Sequence, residues 1–221
     1  MKPQSKLRGM LILFIACICG WFVMELEILG VRMLAPYFGS AVYVVTGSVI
    51  GVFLLSLSVG YMLGGWLSTK AGWQAILGSN LLITGLWLMA LPFLTEPVCD
   101  TIFRLDLDEK WGSLIASLIL FGLPTSLMGT VSPTVIHWLG TQFSGTGFNA
   151  GLVLASSTVA SFAGCVITAF YLVLLSMRQT LIVSGIIVSI LGILITLFAI
   201  ASRKKQDSKW RAEVQSVEAA S

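Results

Sequence analysis

Glu25, Glu27 and Arg32 are the residues of this chain whose type and placement could do chemistry. They stand inside a stretch otherwise apolar enough to cross a bilayer, where ionised groups are costly and commonly mark a substrate path, a proton relay or a counter-ion. Carboxylates at such a depth suit the binding of a cation, an amine or a proton. On a helix turning about 100° per residue, Glu25 and Glu27 diverge by roughly 200° and cannot both face one narrow site. Glu25 and Arg32 share a face about two turns apart, whereas Glu27 and Arg32 lie roughly 140° apart. Neither glutamate has Arg32 at the favourable three- or four-residue spacing, so partners are sought on other helices. Three readings stay open: a structural polar centre of Glu27 with Arg32, or Arg32 snorkelling to the outer surface; a cation-binding site using Glu25 or Glu27; and a contact with lipid headgroups or a partner.

The elements that must position these groups follow from composition. Of 221 residues, 57% are hydrophobic and 10% charged, against roughly 25% charged in an average soluble domain. A span of hydrocarbon takes about 20 helical residues, and stretches of that length run over 9–34, 42–67, 73–94, 112–139, 148–175 and 180–201. The expectation is an all-α polytopic membrane protein of six transmembrane helices over 1–202, followed by a polar, disordered cytoplasmic tail over 203–221. The basic start (Lys2, Lys6, Arg8) also fits a cleaved secretory signal, but the apolar run continues through Glu25 to Pro36 and five further spans follow. Lys70, Arg203, Lys204, Lys205, Lys209 and Arg211 join the N-terminal basic residues on one side, while the 95–111 loop carries Glu96, Asp100, Asp106, Asp108 and Glu109. Because cytoplasmic loops are enriched in Lys and Arg, both termini are placed inside, in a cell inner membrane.

Other chemistry is thinly represented. The four cysteines, Cys17, Cys19, Cys99 and Cys165, form no CxxC pair or disulfide framework. One histidine, His137, rules out a histidine-rich metal site and sits beside Trp138 in a common interfacial arrangement. The Asp106, Asp108, Glu109 cluster lacks the spaced oxygen ligands and turn glycine of a calcium loop and reads as a solvated acidic surface. No metal, cofactor or nucleic-acid partner is expected. Pro124 and Pro133 interrupt the fourth span, either to shape a packed helix or to expose carbonyls to a substrate.

Small residues recur at four-residue spacing in two spans. Gly47-x-x-x-Gly51 and Gly60-x-x-x-Gly64 lie in the second, Ser156-x-x-x-Ala160-x-x-x-Gly164 in the fifth. Such ridges let helix backbones approach closely, so spans two and five are expected to be central, the ridges serving intramolecular packing or else a homodimer face. A three-plus-three repeat would produce corresponding positions of this kind.

Beyond these features, EILGVRMLAPYFG (27–39), SVIGVF (48–53), LSVGYMLGG (57–65), LMGTVSPTVI (127–136), Gly147-x-x-Ala150-Gly151 and Ser157, Thr158 and Gly164 resemble the membrane region of the fused spermidine synthases. That region is described as related to the major facilitator superfamily. The resemblance covers 25–181 and implies half of a major facilitator fold with a polyamine-linked transport or cation-binding role. Two departures stand out. No glycine-rich strand-to-helix turn followed by an acidic residue exists to hold a nucleoside, so aminopropyl transfer by this chain alone is not expected. In the 65–72 connection, Thr69 stands where the major facilitator loop carries an acid, although Lys70 and Gly72 fit. The alternative role is a non-catalytic anchor for a separate soluble spermidine synthase-like aminopropyltransferase, or for another membrane subunit.

Overall fold

The computed structural model describes residues 3–70, 72–142 and 146–218. Every regular element among them is helical: α1 Pro3–Phe38, a π-helical segment Tyr43–Ile50, α2 Gly51–Ser68, α3 Trp73–Arg104, α4 Glu109–Gly129, α5 Val131–Gln142, α6 Thr146–Phe170, a 3-10 turn Leu172–Leu174, and α7 Met177–Glu218. Six helical stretches are long and apolar enough to cross a membrane: Gly9–Phe38, Thr46–Ser68, Trp73–Arg104, Glu109–Thr141, Gly147–Leu174 and Met177–Ala201. In hydrocarbon an open strand edge or bare loop leaves backbone groups unpaired, which is why this composition folds into helices and little else.

Helix ends depart from expectation for identifiable reasons. Pro36 lies inside the last turn of α1, which closes at Phe38 before Gly39 adopts φ 75°. The third helix carries Glu96 and Asp100 on exposed positions and continues to Arg104, so the connection to α4 shrinks to 105–108. The next helix begins where the Asp108 side chain accepts from the Lys110 N–H at 3.4 Å, an N-cap. On the opposite side, Gly72 at φ 80° starts α3. Lys70 lies 4.6 Å over the Trp66 ring and the Thr69 hydroxyl bonds the Trp66 carbonyl, so this connection is a tight turn. The polar segment expected to be disordered is helical to Glu218 as a continuation of α7. Its Arg, Lys, Gln, Ala and Glu are good helix formers and nothing between Ala201 and Glu218 breaks the helix.

Packing corrects the expected centre. Span four is 61% buried and span five 11%, so the fourth helix is the hub and the fifth lies at the edge. The Gly60 and Gly64 ridge does what its spacing suggests. A Cβ on Gly60 would collide with the Ser126 carbonyl, and one on Gly64 would lie 2.5 Å from the Thr130 carbonyl and 2.6 Å from Pro133 Cγ. Gly47 meets nothing within 4 Å and Gly51 only its own segment's Thr46 carbonyl at 3.7 Å; the π-helical turn there rotates them away from any neighbour. In the fifth span Gly164 packs on Trp21 of α1, its Cβ position 2.8 Å from the Trp21 carbonyl. Ser157 rather than Ser156 shares that face, donating to the Ala16 carbonyl at 3.2 Å, while Ser156 bonds within its own helix. Another close crossing uses a seven-residue spacing: Gly78 and Gly85 of α3 lie against Gly192 and Gly185 of α7, with the Cβ position of Gly192 2.7 Å from the Gly78 carbonyl.

Spans one and five, two and four, and three and six form the main pairs. This set of neighbours is unchanged when spans one, two and three are exchanged with four, five and six, as a three-plus-three repeat requires. One pair breaks the exchange. Spans three and four pack along their length, whereas spans six and one touch at few points.

The fourth span's interruptions are closed by protein. Pro124 has no N–H to offer the Leu120 carbonyl, and the Trp87 indole of α3 donates to that oxygen at 2.9 Å. The α4–α5 break at Thr130 is held by Asn80, whose amide donates to the Thr130 hydroxyl at 3.2 Å.

Two expectations follow. Gly60→Leu or Gly64→Leu will reduce monodisperse protein in detergent several-fold by size-exclusion chromatography, while Gly47→Leu will match wild type. Trp87→Phe will destabilise by about 1–3 kcal/mol in a reversible unfolding titration, the cost of leaving the Leu120 carbonyl unpaired; an unchanged midpoint would show that this oxygen has another partner.

Candidate functional site

Glu25 is the acid that the fold encloses. It is 3% exposed and stands at the middle of span one. Trp21, one turn earlier on the same face of α1, donates its indole N–H to Oε2 at 3.0 Å. The Ser184 hydroxyl of α7 donates to Oε1, so the carboxylate bridges the first and last spans. A carboxylate has about four acceptor sites, and two donors leave half of that capacity unused.

The carboxylate faces a groove of about 670 Å³ between α1, α6 and α7, whose wall is almost entirely apolar. Phe14, Trp21, Ala160, Leu175, Val183 and Ile187 form much of it. This is where spans one and six fail to close. A second apolar cavity of about 330 Å³, lined by Trp73, Trp138 and Leu194, lies beyond Phe14, which borders both.

Glu27 and Arg32 are not brought together. Glu27 is half-buried and makes no hydrogen bond or ion pair among the described residues. Arg32 is exposed, and its guanidinium donates to the Val173 carbonyl and, at 3.5 Å, to that of Leu175. Those oxygens belong to the break between α6 and α7, where the 3-10 turn and the extended Leu175 interrupt the helical ladder. Arg32 therefore caps a chain break at the end of the groove away from Phe14. Its distance from Glu27 follows from the roughly 140° between them on one helix.

At the start of α4, Glu109 has a partner as Asp108 does. The Tyr43 phenol donates to Glu109 at 2.7 Å, and that hydrogen bond, with the nearby acidic charge, holds the phenol above its ordinary pKa. His137 is exposed, with Trp73 at 6.3 Å edge-on, and Trp73 also packs on Trp138 at 5.2 Å. This aromatic cluster suits a membrane interface. Among the described residues no group of three His, Cys, Asp or Glu side chains gathers in metal-binding geometry.

Trp21 and Ser184 are the site residues that reasoning from charge alone overlooks. Trp21 was within reach of the sequence, since it precedes Glu25 by the four residues that place side chains in contact. Ser184 lies 159 positions away and carried no signal. No known protein family, curated protein or solved structure matches this chain.

Double-mutant cycles discriminate the two arrangements. Glu25→Gln with Ser184→Ala will show a coupling of about 0.5–3 kcal/mol in unfolding free energy, and Glu27→Gln with Arg32→Gln will be additive within about 0.5 kcal/mol. Strong coupling in the second pair would restore Glu27 and Arg32 as a polar centre.

Proposed function

We propose that this chain is a six-span inner-membrane module that binds an organic cation at Glu25, with both termini in the cytoplasm. The observation that carries this reading is a buried mid-membrane carboxylate with spare acceptor capacity on the wall of an open groove. Ionisable groups at that depth are retained for binding or charge movement far more often than for stability. The span-pairing pattern, preserved on exchanging the two halves, supports a transporter-like repeat, and the resemblance to the membrane region of fused spermidine synthases makes polyamine-linked transport its first form. The chain's own residues supply no nucleoside-binding loop, so its role is binding and passage rather than aminopropyl transfer. Anchoring of a separate aminopropyltransferase-like enzyme rests on the resemblance alone.

A panel of ammonium ions, from propylamine and octylamine to putrescine and spermidine, tests this on purified protein in nanodiscs. At a hundredfold excess over its Kd, a ligand confined to the folded state stabilises by about 2.7 kcal/mol. At least one member of the panel will raise the melting temperature saturably in wild type and Glu27→Gln, and not in Glu25→Gln. Flux of that ion into proteoliposomes distinguishes transport from binding alone. No Glu25-dependent stabilisation by any member would refute the assignment.

A further inference from the structure

Resting on the assignment of Glu25 as a cation acceptor, we infer that the groove between α1 and α7 takes a single-headed amphiphilic amine, with one ammonium at Glu25 and an unbranched apolar chain lying along α1 toward Phe14. Four observations select this class. The first is charge: one carboxylate lies in the wall, and every other lining contribution near it is apolar or neutral. A second ammonium further along would meet hydrocarbon, where an unpaired charge is costly. At the end away from Phe14, Arg32 donates to Leu175, itself a groove residue, and repels a polycation extending that way.

The second is depth. Glu25 falls close to the middle of the span Gly9–Phe38, about 15 Å from either face of a hydrocarbon core roughly 30 Å thick. A phospholipid headgroup held at the interface does not reach it, whereas the head of a free single-chain amine does. The third is length. From Phe14 to Glu25 the helix rises about 16 Å at roughly 1.5 Å per residue, room for an octyl to dodecyl chain. The fourth is volume: about 670 Å³ lies within the usual range of roughly 300–1,000 Å³ for small-molecule sites. Val183 and Ile187 line the groove and are 54% and 41% exposed, so the chain enters sideways from the bilayer.

The test uses the full chain in phosphatidylcholine nanodiscs with octylamine carrying a diazirine at its tail end. After photolysis, labelled peptides are mapped by mass spectrometry. Adducts will concentrate on 14–21 and 184–191, the stretches of α1 and α7 on the Phe14 side of Glu25, and excess octylamine will reduce them at least tenfold. Octanol, with the same tail and no charge, and propylamine, with the same head and no tail, will not. Glu25→Gln will lower labelling about tenfold. Val183→Trp, which fills the groove from a half-exposed position, will do the same while the protein stays monodisperse. Labelling spread evenly over the lipid-facing surface of α6, or undiminished in Glu25→Gln, would overturn the inference. If spermidine competes in a Glu25-dependent way and octylamine does not, the cation assignment stands and the amphiphile is wrong. If no amine competes in that way, both fall.

Discussion

Every backbone donor and acceptor inside hydrocarbon must find its partner within the protein, and this constraint organises the molecule wherever its helices are broken. At Pro124 the freed Leu120 carbonyl takes the Trp87 indole from α3. At the junction of α6 and α7 the loose carbonyls of Val173 and Leu175 take the Arg32 guanidinium from α1. At Thr130 the break is bonded by Asn80 of α3 and closed over by Gly60 and Gly64 of α2. Each repair comes from a helix other than the broken one, two of them from α3, so the breaks act as cross-links that fix which spans are neighbours. An arginine that reads from sequence as half of an ion pair is one of these repairs.

How much of this was legible depends on the range of the interaction. Six spans follow from apolar length, a property local to each segment, and the sequence boundaries fall within a few residues of the observed ones except at the C-terminal ends of α3 and α7, where the helices continue beyond the apolar stretch to Arg104 and Glu218. Close approach was half legible. Four-residue spacing found Gly60, Gly64 and Gly164, yet Gly47 and Gly51 carry the same pattern and face no helix. Spacing identifies a small-residue face without saying what covers it. The α3–α7 crossing, Gly78 and Gly85 on Gly185 and Gly192, has a seven-residue period that a search for four-residue ridges passes over. Burial of span four and exposure of span five depend on the whole arrangement and have no local signature.

At the site, the sequence marked three charged residues on one helix, and the structure encloses one of them. The helical angle already separated Glu25 from Glu27, and the structure agrees by enclosing the first and leaving the second half-exposed. Trp21 was recoverable from its spacing. Ser184 was not, because the pairing of spans one and six is weak and no periodicity announces a contact between the two ends of the bundle. For Arg32 the sequence left a cross-helix partner or the membrane surface open; that its guanidinium meets the carbonyls of Val173 and Leu175 had no local signal, because which carbonyls are left unpaired in a membrane is set by the fold.

The exchange of spans one to three with four to six makes the seam between three and four the counterpart of the seam between six and one, and the two solve the same problem differently. In the closed seam an indole reaches across to a backbone carbonyl, which is then satisfied. In the open seam the indole of Trp21 turns to a carboxylate on its own helix, and Glu25 reaches α7 through a serine hydroxyl. That choice leaves acceptor capacity exposed on a groove wall where hydrocarbon otherwise offers nothing polar. A glutamine at 25 could accept from the Trp21 indole through its carbonyl oxygen and donate to the Ser184 hydroxyl through its amide nitrogen, at far lower electrostatic cost, so holding the seam together does not explain the acid. What the acid adds over an amide is attraction for a positive charge, and the groove beside it is the place in the membrane where one could be received.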